Sequence, residues 1–138
     1  MTQIAGIAPR ILIVEDEGIV ADHIASVLKG AGYEIAGIAS SSQEVFANIS
    51  KQPPDLILMD IHIDGLMDGI ETAEEVLKDL VIPIIYLSAH TDRLTMDRAK
   101  ATGVFQFLTK PIDWTRLFRA IEETVAKHRT SKVHQEPA

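Results

Sequence analysis

Glu15, Asp16 and Glu17 stand together in the run VEDE, Asp60 closes LILMD, Ser88 closes IIYLS, and Lys110 precedes Pro111 in FLTKP. This set supplies carboxylates, one hydroxyl and one ammonium. Crowded carboxylates repel unless a cation intervenes, and an acidic, all-oxygen site suits Mg²⁺, which keeps several waters and needs few protein oxygens. A carboxylate is also a competent nucleophile toward phosphorus when a metal and a lysine neutralise the equatorial oxygens, the product being an aspartyl phosphate. Asp60 is the candidate for that role, with Lys110 as counter-charge. Each residue taken singly has a plainer reading. The acids at 15–17 could complement the dipole of a helix starting near Gly18, Asp60 could cap a turn, Ser88 could cap a helix, and Lys110 could be a solvated surface charge. Only a fold that gathers them in one place favours the chemistry.

Five short apolar segments, rich in branched or aromatic residues, read as strands: 11–14, 33–39, 56–61, 82–87 and 104–108. The first, third and fourth are apolar without alternation, as strands covered on both faces are, whereas Glu34 and Gly37 mark the second as an edge. Amphipathic stretches at about 18–29, 42–51, 70–80, 91–101 and 113–128 separate or follow them. Five successive strand-helix pairs predict an α/β fold, a five-stranded parallel sheet with right-handed crossovers and helices on both faces. Residues 1–9 read as an extension, 10–128 as one domain, and 129–138 as a flexible tail, since apolar periodicity ends near Arg129. In an open parallel sheet the ligand site lies beyond the carboxyl ends of the strands. Those ends carry Glu15–Glu17, Asp60, Ser88 and Lys110, so the joint placement outweighs the single-residue readings.

Composition narrows the partners. Thirteen Lys and Arg against twenty Asp and Glu give 13 − 20 = −7, and a net-negative chain lacks the basic stripe that neutralises nucleic-acid backbones. Residues 1–97 carry 16 acids and 5 bases, a balance of −11, whereas 98–138 carry 4 acids and 8 bases, a balance of +4. The acidic part is suited to a cation or a basic partner. With no cysteine, thiolate chemistry and disulfides are excluded, which agrees with a reducing compartment. No apolar run approaches the ~18 residues needed to span a bilayer. A cytoplasmic protein without direct membrane or nucleic-acid contact is expected.

These motifs, in this order, resemble the response-regulator receiver domain of two-component signalling, the CheY-like family, over roughly residues 10–128. The resemblance implies the flavodoxin-like strand order 2-1-3-4-5. It also implies Mg²⁺ held by Glu15, Asp16 and Asp60 with the backbone carbonyl of His62, Asp16 being the direct carboxylate ligand of strand one and Glu15 acting partly through water. Asp60 becomes the phosphoacceptor, Ser88 the hydroxyl that senses the phosphoryl group, Lys110 its cationic partner and Phe107 the switch aromatic. His62, Ala89 and His90 fall at the pocket rim, and a cis Lys110–Pro111 bond is expected. The implied donor is a sensor histidine kinase or a histidine phosphotransfer protein. Phosphorylation would shift the face of helix four, strand five and helix five between inactive and active states for an output partner the sequence does not identify. Homodimerisation is left open.

Two departures from the commonest receiver pattern stand out. DIHIDGLMDG at 60–69 is one residue longer, with Asp64 where Pro is frequent, and Gln106 replaces a frequent Gly before the switch aromatic. Asp68 and Gly69 still resemble the family's turn into helix three. An enzymatic rival, the haloacid-dehalogenase-like phosphatase, also uses an aspartate nucleophile, a hydroxyl, a lysine and metal-binding acids. It needs its nucleophile on strand one in a D-x-D pattern, whereas the candidate here ends strand three. A flavodoxin-like cofactor binder needs a hydroxyl- and glycine-rich phosphate loop after strand one, where EDEG would repel the anion. The expectation is therefore a signalling switch that catalyses only its own phosphorylation and dephosphorylation, and no reaction of an external metabolite.

Overall fold

Branched side chains alternate along three inner strands, and the two resulting sets of side chains face opposite layers of helices. The computed structural model describes residues 8–63, 65–89, 92–103 and 105–135, with residues 105 and 129–135 described by backbone alone. Its elements are β1 (Arg10–Val14), α1 (Gly18–Gly30), β2 (Glu34–Ala39), α2 (Ser42–Lys51), β3 (Leu56–Asp60), α3 (Gly69–Asp79), β4 (Ile84–Ser88), α4 (Arg93–Ala101), β5 (Phe105–Thr109) and α5 (Trp114–Gln135). The strands are parallel and lie in the expected order β2-β1-β3-β4-β5. Leu12, Val14, Ile57, Met59, Ile84 and Tyr86 pack with α2, α3 and Ala99 of α4. Ile11, Ile13, Leu56, Leu58 and Ile85 pack with α1 and α5. This period of two explains why the inner strands read as continuous apolar runs: both faces are covered.

β2 forms the exposed edge, and its register against β1 slips between Ile11 and Leu12, which pair with Ile35 and Gly37. Asn48 Nδ2 of α2 donates to the Ala36 carbonyl at that slip, 3.3 Å away, and a Cβ on Gly37 would strike the Asn48 side chain. At the other end of the sheet α5 continues to Gln135, beyond Arg129 where a frayed tail is expected. Residues 130–135 contain neither Gly nor Pro, so nothing covalent stops the helix once α5 is nucleated.

The helices are held unequally. α3 buries Ile70, Ala73 and Val76, each Val or Ile contributing about 1.5–3 kcal/mol when fully buried. α4 buries only Ala99, and its attachments are polar. Asp92 caps it by accepting from the Thr95 backbone N–H at 3.1 Å. At its far end the fully buried Tyr86 hydroxyl lies 3.0 Å from Thr102 Oγ1. Burial pushes the Tyr86 hydroxyl pKa up to about 12, although the Thr102 hydrogen bond acts the other way.

Candidate functional site

The carboxyl ends of β1, β3 and β5 bring Glu15, Asp60 and Lys110 into contact across the sheet. Lys110 follows β5 directly, and its backbone N–H donates to the Ser88 carbonyl at 2.9 Å, extending the β4–β5 pairing by one step. The Lys110–Pro111 bond is cis, as expected. The Lys110 Nζ lies 3.0 Å from Asp60 Oδ2 and 3.0 Å from Glu15 Oε1. Glu15 is 2% exposed and Asp60 5%, so both carboxylates would be costly to keep charged without that ammonium. Burial works to lower the Lys110 pKa, but hydrogen bonds and charge from Asp60 and Glu15 outweigh it and raise the group above its ordinary value.

Each carboxylate uses its second oxygen locally. Asp60 Oδ1 accepts from the His62 backbone N–H at 3.0 Å, and Glu15 Oε2 accepts from the Glu17 N–H at 3.2 Å. The turn-capping reading of Asp60 is therefore true alongside its place in the ionic cluster. The helix-dipole reading of the acids at 15–17 is not realised in the same way: Glu17 is the N-cap of α1 without a side-chain cap, and Glu15 is turned to Lys110. Ser88 does not cap α4, a role taken by Asp92. It lies fully buried at the end of β4, one residue past the Asp60–Leu87 register pair.

Glu15, half-buried Asp16 and Asp60 each offer a carboxylate oxygen, and these oxygens lie within 4.8 Å of one another. Three carboxylates against one ammonium leave two negative charges, and an all-oxygen set of that charge fits a hard divalent cation. Of the expected rim residues, His62 and Ala89 are exposed, while His90 lies outside the described residues. Phe107 is half-buried against the α2–α3–α4 core and lines a cavity of about 140 Å³ with Leu87, Thr109 and Pro111.

Two features were not anticipated. Glu15 is a direct partner of Lys110, across 95 positions of sequence; no local signal reveals this, although placement at neighbouring strand ends permits it. Gly69, expected only as a turn residue, packs on the backbone of Asp60 and Ile61. A Cβ there would lie 2.9 Å from Ile61 Cα and 3.0 Å from the Asp60 carbonyl carbon, and closer still to the Asp60 oxygen. Its N–H donates to the Ile61 carbonyl at 2.7 Å.

Comparison with known proteins agrees with this geometry. The response regulator receiver domain model matches residues 11–122. The transcriptional regulatory protein PdtaR of Mycobacterium tuberculosis is 35% identical over 125 residues, which cover 91% of this chain and 60% of that protein. The DNA-binding response regulator MtrA of Mycolicibacterium smegmatis is 33% identical over 102 residues, covering 74% and 44% respectively. The chain thus spans 60% or less of the length of these two relatives. Among solved structures, the signal receiver domain of a modulated diguanylate cyclase from Desulfovibrio desulfuricans G20 superposes with a TM-score of 0.84 at 32% identity, covering 91% of this chain and 99% of that one. A CheY-like receiver domain protein from Methanospirillum hungatei JF-1 gives 0.84 at 25% identity, with 91% and 99% coverage. Sheet order, strand-end chemistry and these likenesses converge, and the chain belongs to the response regulator receiver domain family of two-component signalling.

Proposed function

We propose that Asp60 is the phosphoacceptor of this receiver and that Lys110, Ser88, Glu15 and Asp16 serve its phosphorylation. The observation that carries the reading is the shared ammonium: Lys110 Nζ stands 3.0 Å from both Asp60 and Glu15 in a buried cluster that retains two uncompensated negative charges. An Asp60 carboxylate oxygen forms a bond to phosphorus as the bond from phosphorus to an imidazole nitrogen of a partner phosphohistidine breaks, and the imidazole leaves with the electron pair. Lys110 offsets charge on the phosphoryl oxygens, and Ser88, one step along β4, donates its hydroxyl to one of them. Glu15, Asp16 and Asp60, with the His62 carbonyl, would hold Mg²⁺, which supplies the positive charge needed for two anions to approach.

The acyl phosphate presents acceptors that Asp60 alone does not, drawing Ser88 and the loop after β4 inward. Phe107 then repacks, and the face of α4, β5 and α5 changes for an output partner. The donor is a sensor histidine kinase or a histidine phosphotransfer protein, and the setting is the cytoplasm; among the described residues no helix is long and apolar enough to cross a membrane. The domain promotes only its own phosphorylation and dephosphorylation. Incubation with a small acyl-phosphate donor should give acid-labile, base-labile labelling that requires Mg²⁺ and is absent from Asp60→Asn. Undiminished labelling of that variant moves the acceptor elsewhere.

A further inference from the structure

α4 follows the loop that Ser88 must draw inward, yet apolar contact anchors it least among the described helices. Its central tie is ionic: Arg98 Nη2 lies 2.9 Å from Asp68 Oδ2, the two side chains being 39% and 29% exposed. Asp68 is also the N-cap of α3. Its Oδ1 accepts from the Glu71 N–H at 2.9 Å, its own N–H donates to Glu71 Oε1 at 2.9 Å, and its carbonyl accepts from the Thr72 hydroxyl at 2.8 Å. With these groups engaged, Asp68 has little freedom to follow Arg98 if α4 shifts. The next residue, Gly69, rests on the Asp60–Ile61 backbone. Arg98 therefore connects the helix with the least apolar anchoring to a cap held by three hydrogen bonds, one residue from the support of Asp60.

We propose that the Arg98–Asp68 ion pair is a latch that holds α4 in the unphosphorylated arrangement and restrains the inward movement of the β4–α4 loop. This rests on the reading of Asp60 as phosphoacceptor and adds a restraint separate from Ser88 and Phe107. The pair coexists with an unmodified Asp60 that contacts Lys110 and the His62 N–H. Its partial exposure keeps it weak enough to be released by one phosphoryl group, an exposed pair shifting an equilibrium by about twofold to fivefold.

The test uses Arg98→Gln, Arg98→Lys, Asp68→Asn and the double variant Arg98→Gln/Asp68→Asn. Asparagine retains N-cap capacity while removing the charge. Two quantities are read: amide hydrogen exchange across α4 in unphosphorylated protein, and the rate of labelling by a small acyl phosphate at fixed Mg²⁺. Arg98→Gln and Asp68→Asn should each speed both by about twofold to fivefold. The double variant should match either single one, since one interaction is lost once, and Arg98→Lys should remain near wild type. High salt should bring wild type toward Arg98→Gln. Unchanged exchange and labelling in Arg98→Gln, or additive effects in the double variant, overturn the latch while leaving the acceptor reading intact. Absence of labelling in wild type overturns the acceptor reading, and the latch with it.

Discussion

Replacing Lys110 by Ala removes the ammonium shared by two nearly buried carboxylates, and the loss of stability follows from the geometry. Each 3.0 Å contact has a gross Coulomb attraction of about 5–6 kcal/mol at an effective dielectric of about 20, and desolvation takes most of it back. Removing one partner of a fully buried pair costs about 3–5 kcal/mol. The Lys110 side chain keeps 23% of its surface in solvent, which reduces the expected loss to about 2–3 kcal/mol. Most of this arises because Glu15 and Asp60 then face each other with no cation between them. In an Asp60→Asn background only one charge is stranded, so the same substitution should cost about half as much. Urea unfolding at pH 7 with chelator present measures all four proteins, with slopes compared to exclude a change in the unfolded state. Added Mg²⁺ should recover part of the Lys110→Ala deficit by binding the folded form. Equal losses in both backgrounds would refute the reasoning, because Lys110 would then be acting through packing rather than through shared charge.

Lys110 also sets an alkaline limit. Its folded-state pKa lies above 10.5, so its contribution is complete below that value and is lost as pH rises through the elevated folded value. Wild type should therefore show a loss in its urea midpoint above pH 10.5 that Lys110→Ala lacks. Gly69→Ala forces a methyl group against the Asp60–Ile61 backbone; a destabilisation of about 1–3 kcal/mol by urea unfolding and slower labelling of Asp60 are expected together. Asp16→Asn removes one of the three clustered carboxylates and should weaken Mg²⁺ binding by about tenfold or more, read by titration calorimetry, with little change in stability under chelator.

The strands and their carboxyl ends were legible in the residues themselves, whereas the strand order came only from the family resemblance. Apolar runs at 11–14 and 56–61 read as covered strands, and Glu34 with Gly37 identified the edge that β2 occupies. Acidic and basic residues could then be placed at one end of the sheet without knowing a single contact. Contacts were a different matter. Whether Lys110 reaches Glu15, Asp60 or both depends on rotamer and strand stagger, which residue types do not encode. Gly69 was visible as a helix start but not as a support for Asp60, because a missing Cβ signals equally a turn, a positive φ or a close approach. Arg98 reads as a surface charge on an amphipathic helix, and only the fold brings it to Asp68. Local endings were least legible: the lack of breakers over residues 130–135 allows a helix that periodicity alone does not require. Trp114 and Phe118 of α5 pack against the core that α1 shares with the inner strands.

The central claim is that one carboxylate, Asp60, carries the phosphoryl group. Reductive trapping addresses it most directly: borohydride converts an aspartyl phosphate to homoserine, and peptide mass spectrometry then locates the converted residue. After incubation with Mg²⁺ and a small acyl phosphate, conversion is predicted at position 60 alone, disappearing when Mg²⁺ is chelated. Conversion at Asp16 or another acid, or none at all in protein that carries label, would contradict the account.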